Sequence, residues 1–221
     1  MTEVSFIPSR KTISQELKID ELANDLSTKT IDVIHDVVRA LDLKYCGEVL
    51  KRLPDTLLIE YLYNYMNSCN LVPNIVAEPD LDEITDLNYI IDNDPATTCT
   101  SGSVGGNSED KYPTWHGYIK FDLGSVKHVD LIGFKLEHHD NGAPRRDCRL
   151  RIEISEDGSA WEIVYDVANP GTSKVVRKEV LEINKDIRYA RIHLTAYTNQ
   201  PFTYVWHYLD AVYYFMFVAR W

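Results

Sequence analysis

Turnover chemistry has no recognisable footing in this chain. It contains no Gly-x-Ser-x-Gly elbow, phosphate-cradling loop, His-Glu-x-x-His helix or Cys–His pairing. Its 34 acidic residues supply many carboxylate pairs, but none stands out as an acid/base dyad, so the expected protein is not an enzyme. What the residues do offer is non-covalent recognition. One polar run, His138-His139-Asp140-Asn141-Gly142-Ala143-Pro144-Arg145-Arg146, gathers imidazole, amide and guanidinium groups on a turn-like segment. A second, Tyr197-Thr198-Asn199-Gln200-Pro201-Phe202, adds an amide and two flat rings. Both also read as ordinary solvated loops. His138 and His139 could equally pair with neighbouring acids, and Arg149 and Arg151 read as one exposed strand face.

Two kinds of element must position these groups. Residues 12–70 carry helical periodicity. Thr12 and Gln15 form a capping-box pattern ahead of Leu17, Leu22 and Leu26, and Thr30 can cap a helix lined by Ile31, Ile34, Val38 and Leu41. Gly47 restarts the pattern, Pro54-Asp55 breaks or re-caps it, and Leu58, Tyr61, Leu62, Tyr65 and Met66 line a third helix. Three short helices bury little alone, so they must pack on each other, on the rest of the chain or on another subunit. An acidic stretch with Pro73 and Pro79 follows, placing a helical assembly or anchoring region at 1–80 and a second domain at 81–221.

From residue 117 the period changes to two. Strands are expected at 118–123, 129–136, 149–155, 162–167, 175–183, 188–195 and 211–218, with Glu156-Asp157-Gly158 as a hairpin turn. Seven strands without intervening helices predict an antiparallel sandwich or barrel. The chain carries 14 Tyr and four Trp, concentrated after Trp115, which suits such a module.

Charge restricts the partners. The net charge of −11 is spread evenly, with 8 basic and 13 acidic residues up to position 80 and 15 and 21 beyond it. Without a basic stripe, nucleic acid is a poor partner, and anionic membranes would repel the chain. The first residues lack the apolar core of a signal peptide. Cys46, Cys69, Cys99 and Cys148 form no metal-ligand spacing and read as free thiols, and no Asn-x-Ser/Thr acceptor occurs. These features lead us to expect synthesis in a reducing cytoplasm.

Four segments together resemble the coagulation factor V/VIII type C, or discoidin, family over residues 87–215. They are Ile91-Asp92-Asn93-Asp94-Pro95-Ala96-Thr97, Phe121-Asp122-Leu123-Gly124, Ser155-Glu156-Asp157-Gly158-Ser159-Ala160-Trp161 and Arg188-Tyr189-Ala190-Arg191-Ile192. The resemblance implies a mainly β fold, a galactose-binding-like jelly-roll β-sandwich preceded by a small α-helical region. It also implies a structural calcium held by Asp92, Asp94, Thr97 and Asp210, although the same residues could form an Asx turn with no ion. By the same resemblance the sugar-binding end would use His138, His139, Asn141, Arg145, Arg146, Tyr197, Asn199 and Phe202. Trp161 would be a core residue, with Trp115, Tyr118 and Trp206 in the core or at the rim. The chain departs from the family at Cys99, where a tryptophan is expected. It also lacks the disulfide joining the domain's ends, and the 101–117 loop has no paired apolar tips for membrane insertion.

Two functions follow. One is a structural or attachment protein of a virion, such as a bacteriophage head, neck, tail or fibre component. It would assemble as a homo-oligomer with other subunits through residues 12–70, and the apolar tail Tyr213–Trp221 would serve as a subunit contact. The alternative is an autonomous, lectin-like carbohydrate-binding module for cell-surface glycans. The position of the helices discriminates: an assembly surface favours the first, and helices folded back on the sandwich favour the second.

Overall fold

The structure is a computed structural model that describes residues 18–77, 85–94, 96–108, 114–141, 148–168, 171–197 and 203–219. Among the described residues four α-helices come first: α1 (Ile19–Leu26), α2 (Ile31–Ala40), α3 (Leu43–Lys51) and α4 (Asp55–Ser68). The expected Thr12–Gln15 cap lies outside the described residues. Thr30 occupies the N-cap position of α2, though its side chain makes no capping bond. The extra helix arises because the chain breaks at Leu41–Asp42, not at Gly47. Asp42 stands at the new N-cap, and its carbonyl accepts the N–H groups of Tyr45 and Cys46.

Seven strands follow among the described residues: β1 (Asn74–Ala77), β2 (Cys99–Ser108), β3 (Thr114–Asp140), β4 (Arg149–Ser155), β5 (Glu162–Ala168), β6 (Val175–Tyr197) and β7 (Thr203–Val218). They are hydrogen-bonded in the order β2-β7-β3-β6-β4-β5, with β1 also on β3, and every pair is antiparallel. The strands expected at 118–123 and 129–136 are two halves of β3, and those at 175–183 and 188–195 are two halves of β6. Both long strands turn a corner, where their mutual register shifts between Asp122 and Lys127.

The corner folds the sheet into two facing layers. One holds β1, the first half of β3, the second half of β6, β4 and β5. The other holds β2, β7, the second half of β3 and the first half of β6. Phe121 of the first layer stacks on Phe215 of the second at 4.2 Å, and Phe134 meets Tyr165 edge-on at 5.3 Å. Leu150, Ile152 and Ile154 point into this core while Arg149 and Arg151 face outward, as the alternation of β4 predicts.

The resemblance motifs tie the corner together. Asp122 accepts the Gly124 N–H at 2.8 Å, in a turn where Gly124 adopts φ 77°. The same carboxylate takes a two-pronged bond from Arg188 at 2.9 and 3.1 Å, the geometry that suits guanidinium best. In the neighbouring hairpin Asp157 accepts the N–H groups of Ser159 and Ala160. These bonds hold its carboxyl well below the usual range. The hairpin's tryptophan is a correction: Trp161 is half-buried, with the Arg191 guanidinium 3.9 Å above its ring, and not enclosed in the core. It follows the turn at the end of the sandwich, where the facing layer does not cover it.

The helices lie on the outer side of the second layer and share one continuous apolar core with it. Two glycines permit the approach. A Cβ at Gly47 would stand 2.5 Å from the Val180 carbonyl, and one at Gly133 would stand 2.5 Å from Leu62. Charged contacts frame the seam. Asp55 meets Lys135 at 2.6 Å and Lys178 at 2.8 Å, and Lys51 pairs with Glu179. Burial works to raise the Asp55 carboxyl, but the two ammonium groups outweigh it and hold it below its ordinary value. Tyr214 to Ala219 are all buried, because β7 has the other sheet on one face and α4 on the other. The expectation of an exposed apolar tail is corrected over these residues.

Gly47→Ala tests the close approach. A helical Gly→Ala change ordinarily stabilises by about 1 kcal/mol, but here the methyl would strike backbone. We expect a net loss of about 1–3 kcal/mol in urea denaturation, and unchanged or raised stability would contradict the packing.

Candidate functional site

The end of the sandwich away from the corner is where β3 stops at Asp140, β6 at Tyr197 and β7 begins at Thr203. Arg145, Arg146, Asn199 and Phe202 lie outside the described residues. His138 and His139, read in sequence as one loop, belong to β3 and therefore point to opposite faces.

His138 is fully buried, which corrects its assignment as a ligand-facing residue. It joins a chain of bonds across the sandwich. His207 Nδ1 lies 3.1 Å from the Thr195 carbonyl, so it must carry the proton and donate. His207 Nε2 is then the acceptor for His138 Nδ1–H at 3.1 Å. His138 Nε2 in turn accepts from Arg177 Nε at 3.3 Å. With both rings neutral, every nitrogen is satisfied.

His139 faces outward and lies flat on Tyr208, its cross-strand partner, at 4.6 Å and 10°. Trp206 continues the row, 6.5 Å from Tyr208 with 29° between ring planes. Trp206, Tyr208 and Asp210 alternate along β7 with the buried Val205, His207 and Leu209, so the row sits on a strand with a well-anchored inner face. Asn141 closes the ladder: its N–H donates to the Trp206 carbonyl at 3.1 Å, and its side-chain oxygen accepts the Trp206 N–H at 3.3 Å.

A polar rail runs beside the rings. Asp210 accepts from His139 Nδ1 at 2.6 Å and meets Lys174 at 2.9 Å, and Lys174 also reaches Glu137 at 3.2 Å. The bond to Asp210 places a proton on His139 Nδ1. Half-exposed flat rings beside donors and acceptors suit a ligand with one apolar face and a polar edge. The structure thus brings His139 and Asn141 together with Trp206, Tyr208 and Asp210. Tyr197 stands opposite Thr114 in the other layer.

Trp206 and Tyr208 were missed as a platform because β7 was expected only from residue 211. The alternation Val205-Trp206-His207-Tyr208-Leu209 carried the signal.

The other layer's outer face holds a second polar network, which the sequence reading missed. Glu153, 4% exposed, is bound by Arg191 and by His193 Nδ1 at 3.0 Å, and His193 Nε2 meets His116 Nδ1 at 3.0 Å. Burial works to raise the Glu153 carboxyl, but its two partners outweigh it and hold it low.

The residues implied for calcium do not form one site. The Thr97 hydroxyl lies 2.8–2.9 Å from both Asp92 oxygens, and Asp92 accepts the Asp94 N–H at 3.1 Å. This is the Asx-turn arrangement. Asp210 is engaged elsewhere, by His139 and Lys174, which corrects its assignment to that set. Among the described residues no three His, Cys, Asp or Glu side chains are placed to hold a metal. The four residues do not fit the ion as a set.

Burial, the largest cause, pushes His138 down from 6.5 to about 3 and His207 to about 4. Between 6.5 and those values the unfolded chain binds more protons, so stability is complete above 6.5 and is lost as pH falls. His207→Gln preserves the polar chain without a titrating ring. Its urea midpoint should fall less steeply with acidification below about pH 6.5 than the wild-type midpoint. Parallel profiles would show that the buried pair does not set the slope.

Residues 79–207 match the family model of the F5/8 type C domain. No curated protein matches the chain. Among solved structures, the chain is similar to the CBM32 of AlyQ in complex with 4,5-unsaturated mannuronic acid, at 19% identity over 65% of this chain and 92% of that one, with a TM-score of 0.36. It is also similar to chitosan-binding module 1 from a Paenibacillus sp. IK-5 chitosanase/glucanase, at 16% identity over 68% and 98% and a TM-score of 0.36. A third is CpGH89CBM32-4, produced by Clostridium perfringens, in complex with GlcNAc-α-1,4-galactose, at 14% identity over 68% and 92% and a TM-score of 0.38. With more than half of its residues inside the family match, and with the corner and hairpin built from the motifs described above, the chain belongs to the F5/8 type C, or discoidin, family.

Proposed function

We propose that this protein is a non-catalytic carbohydrate-binding module that holds a glycan across the Trp206–Tyr208–His139 row. The row of flat rings beside the Asp210–Lys174–Glu137 rail carries the reading. A pyranose ring has C–H faces that stack on aromatic rings and hydroxyl edges that need both donors and acceptors. The row supplies the first and the rail the second. Their support is a strand whose inner side chains are locked in the core, so little conformational freedom is lost on binding.

The virion reading relied on the helices and the apolar tail as surfaces for other subunits. The buried faces of α3 and α4 and residues 214–219 instead meet within this chain. That arrangement supports an autonomous module over a subunit assembled through its helices.

A glycan array followed by calorimetry on the best-bound sugar tests the proposal. Trp206→Ala with Tyr208→Ala should weaken binding at least about tenfold, the loss of roughly 1.4 kcal/mol or more, while the thermal transition stays cooperative. Undiminished binding by the folded variant, or no bound glycan with wild-type protein, would overturn it.

A further inference from the structure

A concavity lies at the corner end, away from the aromatic row. Its volume is about 540 Å³, within the roughly 300–1,000 Å³ of small-molecule sites. Trp161, Glu156 and Glu162 of the hairpin form one wall, and Lys185, Asp186 and Ile187 of β6 form the other. We propose that this concavity is a second binding site, for a neutral pyranoside, independent of the aromatic row.

Three features define the ligand. First, the indole of Trp161 is fixed in place: Arg191 lies over its ring at 3.9 Å and is itself bonded to Glu153. A flat ring held this way gives stacking area at small entropic cost. Second, the walls are stiff. Asp157 pins the hairpin through two backbone N–H groups, and the Arg188–Asp122 clamp adjoins the β6 wall. Third, the rim presents both hydrogen-bonding senses. Lys185 Nζ reaches both oxygens of Glu162, and Asp186 receives His128 Nδ1 at 2.9 Å.

Charge removes the alternatives. A cationic ligand would meet Arg191 on the same indole and Lys185 at the rim. An anionic ligand would meet Glu156, Glu162 and Asp186. A polyhydroxylated neutral ring avoids both penalties: its hydroxyls accept from Lys185 and donate to Glu162, and its C–H face meets Trp161.

The test uses the full chain carrying Trp206→Ala and Tyr208→Ala, which removes the aromatic row, so failure here is distinct from failure of the reading above. Methyl β-D-glucopyranoside is titrated while the Trp161 indole N–H and the amides of Glu162, Asp186 and Ile187 are followed by NMR. Saturable shifts at these positions in the millimolar range are expected. Adding Glu162→Gln and Lys185→Met, at a solvent-exposed pair, should weaken them by about fivefold or more, with the amide spectrum elsewhere unchanged. The absence of saturable shifts at these positions, shifts confined to other regions, or an unchanged titration in the added variant would each overturn the proposal.

Discussion

Residues 131–134 of β3 and 214–218 of β7 are buried on both faces of the sheet. One face packs on the opposing layer of the sandwich, where Phe215 and Phe217 meet Phe121 and Phe134 meets Tyr165. The other is covered by α3 and α4, which come close only because Gly47 and Gly133 carry no side chain. Each buried Leu, Ile, Phe or Met contributes about 1.5–3 kcal/mol. The helical segment therefore acts as an outer layer of the sandwich. The ion pairs of Asp55 with Lys135 and Lys178 fix its position more than they add stability, since partly buried pairs offset much of their own desolvation.

With that face covered, two regions among the described residues stand out for recognition. Beyond the helices, β7 emerges with alternation restored, and its outward positions become Trp206, Tyr208 and Asp210 while His207 turns inward beside His138. At the opposite end both long strands change layers, held by the Asp122–Arg188 clamp and the Asp157 hairpin. The family motifs are thus mainly structural: they build the corner. The residues of the aromatic row lie outside them, whereas Glu156 and Trp161 of the hairpin motif line the corner cavity.

Period-two alternation found β4 at its observed bounds, Arg149–Ser155, because that strand has one dry and one wet face. It divided β3 and β6, since Gly124-Ser125-Val126 and Asn184-Lys185-Asp186 are exposed corner residues that interrupt the pattern. It overlooked β2, Cys99-Thr100-Ser101-Gly102-Ser103-Val104-Gly105-Gly106-Asn107-Ser108. The glycines and serines there have low strand propensity, and the segment is a strand because it pairs with β7. His138 was misplaced for a related reason: a polar run looks like a loop until its register in the sheet is known. The aromatic row was legible as alternation in β7, but its stacking against His139 depends on a cross-strand register that no local pattern reveals.

The central claim is that helices and sandwich form one cooperative unit. All four tryptophans lie at position 115 or later, while α1–α4 end at Ser68. Equilibrium urea unfolding of the full chain, followed in parallel by far-ultraviolet circular dichroism and tryptophan fluorescence, therefore reads the two parts separately. Coincident midpoints and slopes are the result expected of a single unit. Loss of the helical signal at lower urea, with tryptophan fluorescence still native, would contradict it.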